Sequence, residues 1–217
     1  MTQPTRTAGP ARLAVAEWLR EKIITGEIPE REFLDEKWVC EQLEVSRTPV
    51  REAFQVLAAE HFLTLLPRKG AQVTGVTLTE LGEMYQVRRL IEGEAVRTIC
   101  ARGEGAPPEM AALLGRLEDA AARMDFYAET VADRRFHLAL VSGAGNSILT
   151  EVYEGLRARQ QRVAMRALRA RPERLPTIET EHRRLVECLE ANDAPGAMEV
   201  LSDHLRVVSE VAAALDT

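Results

Sequence analysis

Two short β-like runs, residues 62–66 and 71–75, flank Pro67-Arg68-Lys69-Gly70 in a chain that otherwise patterns as helix. A Pro- and Gly-bounded gap between two such runs reads as a hairpin. Its place in the chain constrains the fold more than any other feature, because three short helices precede it and strand signals vanish after Thr77. The first helix, 11–25, repeats Leu13, Val15, Ala16, Leu19, Ile23 and Ile24 at roughly 3.6-residue spacing and stops at Gly26 and Pro29. A second covers about 35–43, Glu44-Val45 turns, and a third spans 47–59. Ser46 is the expected N-cap of the third, and Pro49 falls in its first turn, where a missing N–H costs nothing.

Helix, helix, turn, helix, hairpin is the outline of a winged helix-turn-helix, expected over 11–76 behind a disordered tail, 1–10. Beyond it, amphipathic stretches at 79–102, 107–124, 127–142, 146–171, 174–191 and 194–215 predict an all-helical domain over 77–217. The expected fold class is therefore mainly α. With 46% hydrophobic but only 5% aromatic residues, the composition favours helix over sheet. Cys40, Cys100 and Cys188 are odd in number and form no CxxC, so they read as reduced thiols. The absence of a long apolar run or an apolar leader points to a cytoplasmic protein without a membrane partner.

The net charge of −6 argues against a nucleic-acid partner unless positive charge is local. Residues 1–76 carry ten Arg and Lys against eleven Asp and Glu, a net of −1, so even this segment is not basic. Position matters more. Arg47 and Arg51 are four apart on one side of the third helix, while Val50, Ala53 and Phe54 face the other way. A recognition helix needs that split between an apolar back and groove-facing donors. Arginine forks suit guanine edges or phosphate, and Ser46 and Thr48 lie at the same helix start. Arg68, Lys69 and Gly70 would form a positively charged wing tip.

The run Ser46-Arg47-Thr48-Pro49-Val50-Arg51-Glu52-Ala53 resembles the recognition-helix signature of the GntR family of bacterial regulators. Leu34-Asp35-Glu36 and Arg68-Lys69-Gly70 fit the same pattern. The resemblance implies that Arg47, Arg51 and Gly70 touch double-stranded DNA, and that an arginine before the second helix does too, Arg31 being the nearest. The expected target is a palindromic operator bound by a homodimer.

In the helical domain, Asp133 lies four residues before His137. His182 shares a stripe with Leu185, Val186 and Leu189, and His204 with Val200, Leu201, Val207, Val208 and Val211. Core-facing polar groups need partners. One divalent ion would serve all four, and imidazole with carboxylate suits Zn²⁺, Ni²⁺ or Mn²⁺. Separate hydrogen-bonded histidines are the alternative.

Residues 79–215 also resemble the FCD effector domain of the FadR-like GntR subgroup. The matching runs are Tyr85–Glu92, Asp133–His137, Gly145-Asn146, Glu181-His182, Asn192-Asp193 and His204. That resemblance implies a metal held by Asp133, His137, His182 and His204, and a small organic acid as effector. Arg88 is the candidate carboxylate clamp, its rival reading being an ion pair with Glu92. Among seven arginines between 157 and 174, Arg162 and Arg166 are the candidates for reaching the effector, together with Asn146. The expected function is a ligand-gated transcription regulator rather than an enzyme. The rivals are a metal-dependent hydrolase built on the Asp-His₃ set and a regulator that senses the metal itself.

Overall fold

A computed structural model describes residues 8–67 and 69–206, and its contacts divide the chain between Gly75 and Val76. In the first unit, α1 (Ala8–Ile24) buries Val15, Ala16, Leu19, Ile23 and Ile24 against α3 (Arg47–Ala59). The helix starts at Ala8, so part of the expected tail is helical; Pro10 is tolerated there because it falls in the first turn, where proline needs no donor. The rest of that tail, 1–7, lies outside the described residues. Arg20 is buried and bound by Glu60, with Nη2 2.8 Å from Oε2, and its guanidinium lies over the Phe62 ring. Asp35 caps α2 (Glu36–Leu43) by accepting from the Lys37 N–H at 2.8 Å. Ser46 occupies the N-cap position of α3 in extended backbone, but its hydroxyl makes no capping bond, contrary to expectation.

The hairpin gains a strand that periodicity did not show. The strands β2 (Leu63–Leu66) and β3 (Gly70–Val73) pair antiparallel, and β1 (Phe33–Leu34) pairs on the far side of β3. Two residues are too few to display an alternating pattern. Leu34 pairs with Ala71, and its carbonyl would lie 2.3 Å from a Cβ at Gly70, whose φ is +90°. Glycine at position 70 is thus demanded by the fold itself. The expected wing-tip residue Arg68 lies outside the described residues.

Among its described residues, the regular secondary structure of the second unit is helical. Helix α4 (Leu78–Arg102) opens on a reciprocal capping box between Thr77 and Glu80 and closes at left-handed Gly103. It is followed by α5 (Pro108–Ala122) and by α6 (Phe126–Gly143), which Asp125 caps. The helix expected over 146–171 is two helices, α7 (Ser147–Glu154) and α8 (Arg157–Ala170). They part at Gly155-Leu156, where Leu156 N–H turns back to the Tyr153 carbonyl, and glycine there costs the helix about 1 kcal/mol. A 3₁₀ turn, Pro172–Arg174, leads into α9 (Leu175–Glu190) and then α10 (Ala194–His204). The continuation expected to 215, with Val207, Val208 and Val211, lies outside the described residues. Ile99, Met110, Leu117, Phe136, Leu140, Leu185, Leu189 and Leu201 form the core between α4, α5, α6, α9 and α10.

Candidate functional site

Two constellations carry chemistry, one in each unit. In the first, Val50, Ala53, Phe54 and Leu57 lock the back of α3, leaving Arg47, Thr48 and Arg51 exposed. Arg47, Arg51, Lys69 and Gly70 line one open cleft of about 580 Å³ with Asp35, Glu36 and Lys37. Lys37 was not among the expected contacts. A lone lysine on α2 gives no periodic signal; folding brings it to the cleft that Arg47 also lines. Arg31, Ser46 and Thr48 do not line the cleft. Arg31 sits in left-handed backbone before β1, its N–H on the Val73 carbonyl. Arg51 is engaged by Glu36, its Nε 2.9 and 2.8 Å from the two carboxylate oxygens.

In the second unit, α6 presents Asp133 and His137 one turn apart, α9 presents His182, and α10 ends on His204. The three Nε2 atoms converge. That of His137 is 3.2 Å from His182 Nε2 and 3.0 Å from His204 Nε2. Asp133 Oδ1 lies 3.2 Å from His182 Nε2 and 3.6 Å from His137 Nε2. All four donor atoms fall within 4.8 Å of one another. Bonds of about 2.0–2.1 Å to a tetrahedral ion place its ligands roughly 3.3 Å apart, close to these spacings. Three imidazole nitrogens facing one another are poorly satisfied unless something electrophilic lies between them, so the donor set fits a divalent cation.

The outward nitrogens differ. His137 Nδ1 donates to Glu92 Oε2 at 2.8 Å, and His204 Nδ1 to Glu181 Oε2 at 2.9 Å. His182 Nδ1 is buried with no hydrogen-bond partner among the described residues. These settings pull the imidazoles apart. Burial lowers His182 to about 4 and also lowers His204. For His137 burial acts in the same direction, but the Glu92 and Asp133 carboxylates outweigh it and the pKa rises. Burial would raise Asp133 and Glu92 as well, yet their cationic neighbours hold both well below the carboxylate range.

Around this cluster Arg88 is buried, and its Nε binds Glu92 Oε1 at 2.8 Å, the ion-pair alternative. Tyr153 donates to the same oxygen at 2.7 Å. Arg162 is buried on α8 with Nε on the Ala158 carbonyl, and Arg166 is half-buried. Asn146 is exposed, its side-chain oxygen accepting from the Ile148 and Leu149 N–H groups as the cap of α7. Sequence patterning missed Gln160 and Gln161, both buried, with Nε2 atoms that have no partner among the described residues. The adjacent polar triplet Gln160-Gln161-Arg162 mid-helix was the available signal. It also missed Glu92 as a carboxylate shared by Arg88, Tyr153 and His137, and Glu181 as the partner of His204.

The protein-family model for bacterial regulatory proteins of the gntR family matches residues 11–73, and the FCD domain model matches 83–207. The HTH-type transcriptional repressor GlaR of Escherichia coli (strain K12) is 29% identical over 196 residues, 87% of this chain and 89% of that protein. The gluconate operon transcriptional repressor of Bacillus licheniformis is 29% identical over 154 residues, 70% of this chain and 63% of its own length. A solved GntR transcriptional regulator from Rhodococcus sp. RHA1 superposes with a TM-score of 0.74 at 26% identity, covering 94% of this chain and 97% of its own. With a recognition helix and wing matched in one unit and more than half the chain matched in the other, this protein belongs to the gntR family of bacterial regulatory proteins and carries an FCD domain.

Proposed function

We propose that the chain is a homodimeric transcriptional repressor whose hold on a palindromic operator is set by a small organic acid bound beside a divalent metal. The carrying observation is the convergence of Asp133 Oδ1 and three histidine Nε2 atoms in a chain that also presents Arg47, Arg51, Lys37 and Lys69 along one cleft. Zn²⁺, Ni²⁺ and Mn²⁺ all suit the donors, and such an ion supplies a positive charge that attracts a carboxylate. Asp133, His137, His182 and His204 would hold it. The amide nitrogens of Gln160 and Gln161, unpartnered among the described residues, lie on α8, which packs against α4 and α6, and are donors that an acid could satisfy. Arg88, Arg162 and Arg166 are proposed as its charged contacts. Asn146 is proposed only at the periphery, since its oxygen is occupied. For DNA, Ser46, Thr48 and Arg31 are proposed as flanking phosphate contacts, with Arg68 extending the wing. The names of two relatives, GlaR and the gluconate operon protein, support the repressor reading over activation. A hydrolytic role has less support, because Glu92 and Glu181 are each bound to a ligand imidazole instead of facing a substrate.

Selection from a random duplex pool tests the assignment. Wild-type protein is expected to enrich a palindrome, and the Arg47→Ala, Arg51→Ala double variant to enrich nothing. Equal enrichment by both proteins would remove the DNA assignment.

A further inference from the structure

Two of the three converging imidazoles are backed by a carboxylate, and the two carboxylates differ in kind. Glu181 is partly exposed, at the edge of a cleft of about 460 Å³ lined by α9 and α10 residues. Glu92 is fully buried and shared. Its Oε2 accepts from His137 Nδ1, while Oε1 accepts from Arg88 Nε and the Tyr153 hydroxyl. A neutral imidazole carries one proton, so a proton fixed on Nδ1 leaves Nε2 as a bare lone pair. We infer that Glu92 is a positioning residue that locks His137 in the Nδ1–H tautomer and so aims its Nε2 lone pair at the cation. This inference rests on the proposed metal site.

The shared geometry makes the role sharply testable. A glutamine at 92 has one acceptor end and one donor end. Arg88 offers only donors, and it faces the Oε1 side with Tyr153, so the amide oxygen is drawn there. The amide NH₂ then faces His137 Nδ1, which must become an acceptor. The imidazole proton moves to Nε2 and occupies the position a metal needs. An isosteric change that leaves the cavity filled therefore reverses the tautomer of a residue on another helix.

The experiment uses the full chain and zinc alone as probe. In metal-free wild-type protein at alkaline pH, long-range ¹H–¹⁵N correlation spectra are expected to show His137 protonated on Nδ1. Glu92→Gln is expected to move that proton to Nε2 and to weaken zinc binding about 10- to 100-fold in competition with a chelator. Glu181→Gln is expected to weaken it less, because water can replace a partly exposed carboxylate. Wild-type His137 protonated on Nε2, or Glu92→Gln with an unchanged tautomer, overturns the inference, even if affinity falls for packing reasons. If Glu92→Gln does not fold, the wild-type tautomer decides. Wild-type protein that takes up no zinc while showing the stated tautomer counts against the metal reading and leaves the Glu92–His137 link standing.

Discussion

Lys37 and Arg47 share a cleft, and on the proposed reading they would offer different chemistry to DNA. A planar guanidinium reads a guanine edge, whereas an ammonium on a flexible stem is a point charge for phosphate. Arg47→Ala is expected to cost about 1–3 kcal/mol and relax preference at one base pair. Lys37→Ala should weaken all sequences alike and reduce the slope of log affinity against log salt by about 1. Anisotropy titrations across salt concentrations separate the two. His182 gives a second residue-scale prediction. Its folded-state pKa lies near 4, below the ordinary 6.5, because burial disfavours the imidazolium. As pH falls through 6.5 the unfolded chain takes up a proton that the folded chain refuses until about 4, so stability drops across that window. His137, shifted upward, acts in the opposite sense, but its gain comes as pH falls toward 6.5, before that window. Denaturant midpoints of metal-free protein at about pH 7 and about pH 5 should differ by less in His182→Gln than in wild type. The metal-ligand candidates were legible because each histidine sits on an apolar stripe within one helix. Glu92, 45 residues before His137, was legible only as a possible partner of Arg88, since which helices become neighbours is a tertiary fact.

At the level of elements, local chemistry signals the helix starts well and the internal breaks poorly. Asp35, Thr77, Asp125 and Asp193 cap their helices as residue type suggests. The break at Gly155 was missed because the apolar stripe runs across it in sequence, and a glycine inside a periodic stretch is usually tolerated. Strand β1 was missed because two residues draw their order from pairing with β3 and none from their own pattern. Gly70→Ala tests how firmly that third strand is built. A methyl group there meets the Leu34 carbonyl, in a backbone region that disfavours side chains, so the first unit should lose about 2 kcal/mol or more. Thermal unfolding followed by circular dichroism measures it, and an unchanged midpoint would mean that β1 yields freely.

For the molecule as a whole, bulk charge was a poor guide. A net of −6 hides a face whose cations come from α2, α3 and the wing, segments separated in sequence and gathered only by folding. No helix among the described residues is long and apolar enough to cross a membrane. On the proposed reading only the second unit holds a metal, so stripping it should be felt unevenly. Zinc bound there, at about a hundred times its dissociation constant, would stabilise that unit by about 2.7 kcal/mol. Calorimetry with and without a chelator is expected to move one transition by several degrees and leave that of the first unit in place. The pairing of β1 with β3 carries a last consequence. Lys37 stands three residues beyond Leu34, and Lys69 stands one before Gly70, so the hydrogen bonds of β1 to β3 brace both lysines in a common frame. On the proposed reading, a change that displaces the wing would shift Lys37 along with Lys69, so the two contacts would be re-tuned together rather than one at a time.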